Sequence, residues 1–269
     1  TASSIADMLV GSWSAGDYSS DIKARSLLTP IAFATVTVPL SVVARLSDGM
    51  FAVSDLIDNH SLCGLTGMGM TPANREQLRQ LAVSGKSGFY MPPRLQSWVG
   101  PEKWPARTCE KCEREAWMRY GVRALLCPHQ IPFVKACFHC GNVLTKRVEG
   151  ARPPRGSFRT ANKHAIQFAR VAQQMAIDAS DPDGVRTRLL GRLSQLGYAH
   201  TDGEFRSTAL RRDFTAFCRG AVSDLCLSRL SEFPRRIARL LEWLNSETCT
   251  VHPVYAILLD WFLQESHGC

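Results

Sequence analysis

A mainly α-helical, multi-domain chain is what three features of the sequence predict. Apolar residues recur at three and four spacing through the C-terminal half, two Cys-x-x-Cys pairs stand near the middle, and an Arg/Pro/Gly-rich stretch separates the two regions. The expected layout is an N-terminal mixed or helical, partner-binding region over 1–99, a zinc-ribbon-like knuckle segment over 100–150, and a helical bundle over 158–269 with a helix-turn-helix-like pair. A chain of 269 residues can bury cores for one to three such units.

The N-terminal region leans helical. Ser26 to Ala44 carries no charge over 19 residues, but Pro30, Pro39 and several Ser/Thr interrupt it. A membrane-spanning helix needs about 20 predominantly apolar residues, so a buried strand, Phe33 to Val38, running into a helix at 40–48 fits the prolines better, and no membrane is expected. Thr71-Pro72 opens a helix with Thr71 as N-cap and Leu78, Leu81 and Ala82 on one face. Gly85, Gly88 and Pro92-Pro93 then mark a loop toward tryptophans 98, 104 and 117, whose expected role is to supply core around a small metal site rather than to stack on bases.

The knuckle segment runs from Cys109 to Leu144. Cys109/Cys112 and Cys137/Cys140 are separated by 24 residues, longer than the roughly 15–20 of the zinc-ribbon template. Four thiolates in a reduced compartment suit tetrahedral zinc in a closed structural site; two unrelated pairs of buried or redox-active cysteines are the alternative. Gly141 follows the second pair where the chain must turn tightly. The opening TASSIADMLVGSWSAGD lacks the basic-then-apolar pattern of a secretory signal, so a reducing cytosol is the expected home. The remaining cysteines, Cys63, Cys127, Cys218, Cys226, Cys249 and Cys269, read as core filler. Cys127-Pro128-His129 offers a thiol and an imidazole, but one intervening residue makes joint chelation awkward. His129 and Gln130 are therefore taken as hydrogen-bonding scaffold.

After the basic arm KRVEGARPPRGSFRT, Asn162 or Thr160 caps a helix ending before Asp181-Pro182. An amphipathic helix follows, with Val185, Leu189, Leu190, Leu193 and Leu196 inward and Arg186, Arg188 and Arg192 on other faces; Gly197 stops it. A short turn leads to a helix with Leu210, Phe214 and Phe217 inward. FPRRIARLLEWLNSE and HPVYAILLDWFLQE close the region, the last apolar on most faces and expected to be buried against the bundle or a partner.

Charge is uneven. Net charge is −2 over residues 1–85, +6 over 86–150, +7 over 151–245 and −3 over 246–269, which favours a polyanion at the basic middle and protein contacts at the ends. A solvated basic surface is the plainer alternative. The candidates to meet phosphate or bases are Lys163, Arg186, Arg206, Arg211, Arg212, Arg235 and Arg236. For an enzyme the sequence offers little: no HExxH, no Walker lysine loop, no clustered carboxylates for magnesium.

The order of these motifs resembles the TniQ/TnsD family of transposition target-selection proteins. That family is similar in having Cys-x-x-Cys, a comparable spacer, then a run like His-Gln-Leu-Pro-Gly followed by Cys, His-Gly and Leu. Here HQIPFVKACFHCGNVL matches at His129, Gln130, Pro132, Cys137, Gly141 and Leu144. RLSQLGY, LRRDFTAFCRG, LEWLN and HPVYAILLDWFL resemble its later part, so the likeness is good over 100–269 and faint over 1–99. Three positions depart from the pattern. Cys140 stands where the family commonly has a histidine ligand, with His139 beside it as the substitute; Phe133 replaces a usual glycine; and a tryptophan before His-Gln is absent.

The resemblance implies a non-enzymatic, bacterial, cytoplasmic and nucleoid-associated adaptor with one structural Zn2+ on Cys109, Cys112, Cys137 and Cys140. Such an adaptor selects the insertion site of a Tn7-like transposon, binding target DNA or riding on an RNA-guided CRISPR effector complex. It recruits an AAA+ ATPase regulator, and homodimerisation is among the states the resemblance allows. A protein-interaction scaffold on the guide complex, with little DNA binding of its own, is the rival expectation.

Overall fold

The computed structural model describes residues 62–84, 107–120, 126–146, 158–200, 204–222, 227, 234–246 and 248–267. The expected strand at 33–38, helix at 40–48, loop over 85–93, tryptophans 98 and 104, and most of the basic arm, 147–157, lie outside the described residues, as do the side chains of Trp117, Cys63 and Cys127.

Nine helices and one two-stranded sheet make up the described residues: α1 Cys63–Met68, α2 Pro72–Ser84, β1 Arg107–Thr108, α3 Glu110–Tyr120, α4 Cys127–Gln130, β2 Thr145–Lys146, α5 Lys163–Asp178, α6 Pro182–Gln195, α7 Ser207–Ala221, α8 Pro234–Asn245 and α9 Pro253–His267. The mainly helical expectation holds, and local chemistry explains most of the boundaries. Thr71 Oγ1 accepts from the Asn74 N–H at 3.4 Å to open α2. Asn162 caps α5 through Ala165 N–H at 2.7 Å, and Asp181 caps α6 through Gly184 N–H at 3.0 Å. α6 ends in a Schellman motif: Gly197 has φ +73°, its N–H bonds Ser194 O at 2.9 Å, and Tyr198 N–H bonds Leu193 O at 2.8 Å.

α9 is the axis of the bundle. Every residue from Val251 to Leu263 is buried, as an all-round apolar helix must be, and α5, α6 and α7 pack on it while α8 covers α6 and α7. Trp261 and Phe262 join the layers. Trp261 meets Phe168 of α5 at 5.8 Å and Phe217 of α7 edge-on at 5.0 Å. Phe262 meets Phe214 edge-on at 5.6 Å and Tyr198 at 5.8 Å. The buried residues of 62–68, of the knuckle segment and of α5–α9 form one contiguous hydrophobic cluster; α1 packs on both α5 and α9, and Val251 N–H donates to Gly69 O at 2.8 Å.

One polar group sits inside this axis. Asp260 is 1% exposed and carries an ion pair to Arg192, a longer one to Arg188 at 3.8 Å, and a hydrogen bond from Gln264 Nε2 at 3.2 Å. Arg188 is also paired with Asp178. Arg188 and Arg192 were expected on the outer faces of α6; they turn inward because a carboxylate buried without partners is far costlier than bending two long side chains toward it. Burial raises the Asp260 carboxyl, and Arg192 and Arg188 oppose the shift. No helix among the described residues is long and apolar enough to cross a membrane.

Two outcomes follow for stability. Asp260→Ala leaves Arg192 without its ion pair against the core while Arg188 keeps Asp178, and should cost about 3 kcal/mol in denaturant unfolding, part of which a second change, Arg192→Leu, restores. The second outcome concerns pH. His252 is buried at the start of α9, its Nδ1 accepts from Val254 N–H at 3.2 Å, and burial lowers it from 6.5 to about 4. Its folded value lies below the unfolded one, so the unfolded chain binds more protons between them; stability is complete above about pH 6.5 and falls as pH drops toward 4. His252→Asn should flatten the stability slope between pH 4.5 and 6 by about 1 kcal/mol per pH unit, read from unfolding curves across that range.

Candidate metal centre

The two cysteine pairs arrive on opposite arms of a clasp. β1 delivers Cys109 and runs directly into α3, whose first turn carries Cys112. Cys137 and Cys140 sit on a tight hairpin closed by the Ala136–Val143 bridge, with Cys137 N–H bonded to Asn142 O at 2.7 Å and Gly141 N–H to Cys137 O at 3.0 Å. Gly141 has φ +72°, and a Cβ there would also press on Ile166 Cδ1 at 3.1 Å. The clasp shuts where β1 pairs antiparallel with β2, Arg107 opposite Lys146 and Thr108 opposite Thr145.

The four sulfurs converge. Cys109 and Cys140 Sγ are 3.2 Å apart, Cys112 and Cys137 3.6 Å, Cys112 and Cys140 3.9 Å, and all four lie within 4.8 Å of one another. A zinc tetrahedron with Zn–S near 2.3 Å has edges of about 3.8 Å, whereas a disulfide needs about 2.05 Å. The residues present therefore fit one zinc ion held by Cys109, Cys112, Cys137 and Cys140. Exposed His139 is not among the clustered donors.

Hydrogen bonds already favour thiolate at two corners: Cys112 N–H donates to the Cys109 sulfur and Asn142 N–H to the Cys140 sulfur. Cys140, the least buried of the four, is held far below its usual value, chiefly by Cys109 and then Cys112 and Cys137. Cys112 is pushed up, first by Cys109, and Cys137 is raised for the same leading reason. Four adjacent thiols cannot all ionise unaided; a divalent cation lets them do so.

Around the sulfurs a polar frame fixes the clasp. Gln130 Oε1 accepts from Arg107 N–H at 3.0 Å, and its Nε2 donates to Arg107 O at 2.6 Å and Leu126 O at 3.3 Å. The amide thus substitutes for a neighbouring strand, as expected of scaffold. The buried Arg107 guanidinium reaches Ile131 O at 3.1 Å and also Val134 O; nothing in the sequence marked it. His129 departs from the scaffold expectation: it is fully buried, yet neither ring nitrogen has a hydrogen-bond partner among the described residues. Phe133 adopts φ +67°, the left-handed conformation for which glycine is suited, at a cost of about 1–2 kcal/mol that its partly buried ring offsets. Toward the bundle, Val143 N–H bonds Arg159 O and Ala161 N–H bonds Gly141 O, both at 2.8 Å, so the second knuckle leads rigidly into α5.

The basic candidates are distributed over the helices of the bundle. Lys163 is exposed at the first position of α5. Arg186 pairs with Asp183 and its side chain is only 12% exposed. Arg206 is exposed and donates to His200 Nε2 at 3.2 Å. Arg212 pairs with Asp213 at 2.7 Å, which with the Tyr198 hydroxyl at 3.0 Å holds that carboxyl below its usual range. Arg236 is half-buried beside the Tyr255 hydroxyl. Arg211 and Arg235 are exposed, and Arg219 and Arg239, absent from the sequence-based set, join them on the outer sides of α7 and α8, which pack on each other.

Metal analysis of the purified protein should return about one zinc per chain. Cys109→Ser or Cys137→Ser should lose it together with cooperative unfolding, and affinity should fall as pH is lowered because thiolates must reprotonate. A well-folded, metal-free wild-type protein contradicts this assignment.

Neither a scan against protein-family models nor a comparison with curated proteins found a match.

Proposed function

We propose that this protein is a non-enzymatic, zinc-stabilised target-selection adaptor of the TniQ/TnsD type. It places a basic helical surface on DNA and offers its other faces to an AAA+ transposition regulator, in the cytoplasm of a bacterium. The observation that carries the reading is the coupling of a four-thiol clasp to a helical bundle whose outer helices present arginines. A site closed by four protein sulfurs leaves no coordination position for substrate, which favours a structural ion over a catalytic one. Arg211, Arg212, Arg219, Arg235 and Arg239 on touching helices supply cations to neutralise phosphates.

A second reading, a scaffold that docks on an RNA-guided effector complex with little DNA contact of its own, is favoured by one specific observation. Arg186, Arg206 and Arg212 already have partners within the chain, which weakens their draw on phosphate.

Fluorescence anisotropy with a labelled duplex over a salt series separates the two. For the adaptor, affinity falls steeply with salt, and Arg211→Ala with Arg212→Ala lowers the slope of log K against log salt by about two while zinc content stays unchanged. An affinity indifferent to salt and to those changes selects the scaffold.

A further inference from the structure

Three sulfur–sulfur contacts run from one arm of the clasp to the other: Cys109 to Cys140 at 3.2 Å, Cys112 to Cys137 at 3.6 Å and Cys112 to Cys140 at 3.9 Å. The four corners differ in access. Cys109 and Cys137 are 0% exposed and Cys112 is 6% exposed, whereas Cys140 is only partly buried, next to exposed His139. A reagent arriving from solvent meets Cys140 first, and the shortest of the three contacts is the one Cys140 makes with Cys109. Closing that gap to the ~2.05 Å of a disulfide asks for a movement of about 1 Å. The sheet need not open for it, because Cys109 directly follows Thr108, which is paired with Thr145 of the other arm.

We propose that the clasp is a site of oxidation by hydroperoxides, attacked at Cys140 and resolved by Cys109 of the opposite arm, so that zinc is given up while the arms become covalently joined. This rests on the four-cysteine zinc reading. In the first step the Cys140 thiolate attacks the peroxide O–O bond. The sulfur is oxidised to a sulfenic acid, the peroxide is reduced, and an alcohol, or water from hydrogen peroxide, leaves with a proton from solvent. In the second step the Cys109 thiolate attacks the Cys140 sulfur. An S–S bond forms, the S–O bond breaks, and hydroxide takes a proton to leave as water. Cys112 and Cys137, 3.6 Å apart, repeat the sequence with a second hydroperoxide. The sum consumes two hydroperoxides and four protons and yields two cross-arm disulfides, two alcohols, two waters and the free ion. Sulfurs held in disulfides are no longer thiolate ligands, and the two bridges take over the task of holding the arms together.

The experiment treats zinc-loaded wild-type protein with hydrogen peroxide, reads zinc release with a chromophoric chelator, and maps cysteines by mass under non-reducing conditions with a sulfenic-acid trap. Trapped label is expected on Cys140, then a Cys109–Cys140 bridge, then Cys112–Cys137, with about one zinc released for two peroxides consumed. Cys218 and Cys249, buried and free, should stay unmodified over the same period. The oxidised, zinc-free chain should still unfold cooperatively, whereas the reduced chain stripped by chelator should not, and a thiol reductant with added zinc should restore the starting state. Bridges within the pairs, Cys109–Cys112 and Cys137–Cys140, overturn the proposal while leaving the four-sulfur zinc site standing. So does zinc release without a Cys109–Cys140 bridge, or modification of Cys218 as fast as Cys140. A wild-type chain that takes up no zinc overturns the metal reading and the proposal together.

Discussion

Four sulfurs within 4.8 Å of one another form an arrangement that a folded chain cannot hold in the thiolate form without compensation. Protonated, they fill space as small apolar groups; ionised, they repel. The local backbone is arranged for the ionised state: two N–H groups aim at sulfur, the second knuckle turns at a glycine with positive φ, and the two-stranded sheet brings the arms together. An ion held there would resolve the repulsion, and it would act beyond the clasp, since the second knuckle hands its hydrogen bonds to Arg159 and Ala161 and through them to the start of α5. The clasp and the bundle are thus joined by backbone hydrogen bonds that start at the second cysteine pair.

The second dependence is on α9. A helix buried on every face has no amphipathic register to set its rotation, because apolar contacts alone are similar around it. Asp260 breaks that degeneracy. Its carboxylate must face Arg192 and Arg188, so only one rotation of α9 satisfies the ion pairs while Trp261 and Phe262 reach the aromatic rings of α5 and α7. Whether such a buried network adds net stability is secondary to the selection of one packing over its neighbours.

Much of this was legible in the sequence where the signal is local. The cap residue Asn162, the stop at Gly197, and the apolar spacing of Val185, Leu189 and Leu193 predict helices that form as read, and the Cys-x-x-Cys spacing predicts the cluster. What escaped depends on partners far along the chain. Arg192 reads as an outward charge until Asp260, 68 residues later, is placed beside it. Gln130 reads correctly as scaffold because its partner backbone is supplied by the clasp itself, whereas His129, one position earlier, is buried without a hydrogen-bond partner among the described residues. In the sequence Phe133 is only a departure from an expected glycine. The backbone angle gives that departure a cost, which the spacing of letters cannot.

The place of α9 in the chain has a consequence for synthesis. The helix that α5, α6 and α7 pack against is the last of the nine to emerge from a ribosome, so those three spend their first seconds with their apolar faces uncovered, at an elongation rate of about 5–20 residues per second. The clasp has no such delay, because both cysteine pairs and their sheet are complete by Lys146. The four-cysteine clasp can therefore form before the bundle closes, leaving the nascent protein with a finished thiol cluster attached to an open helical module.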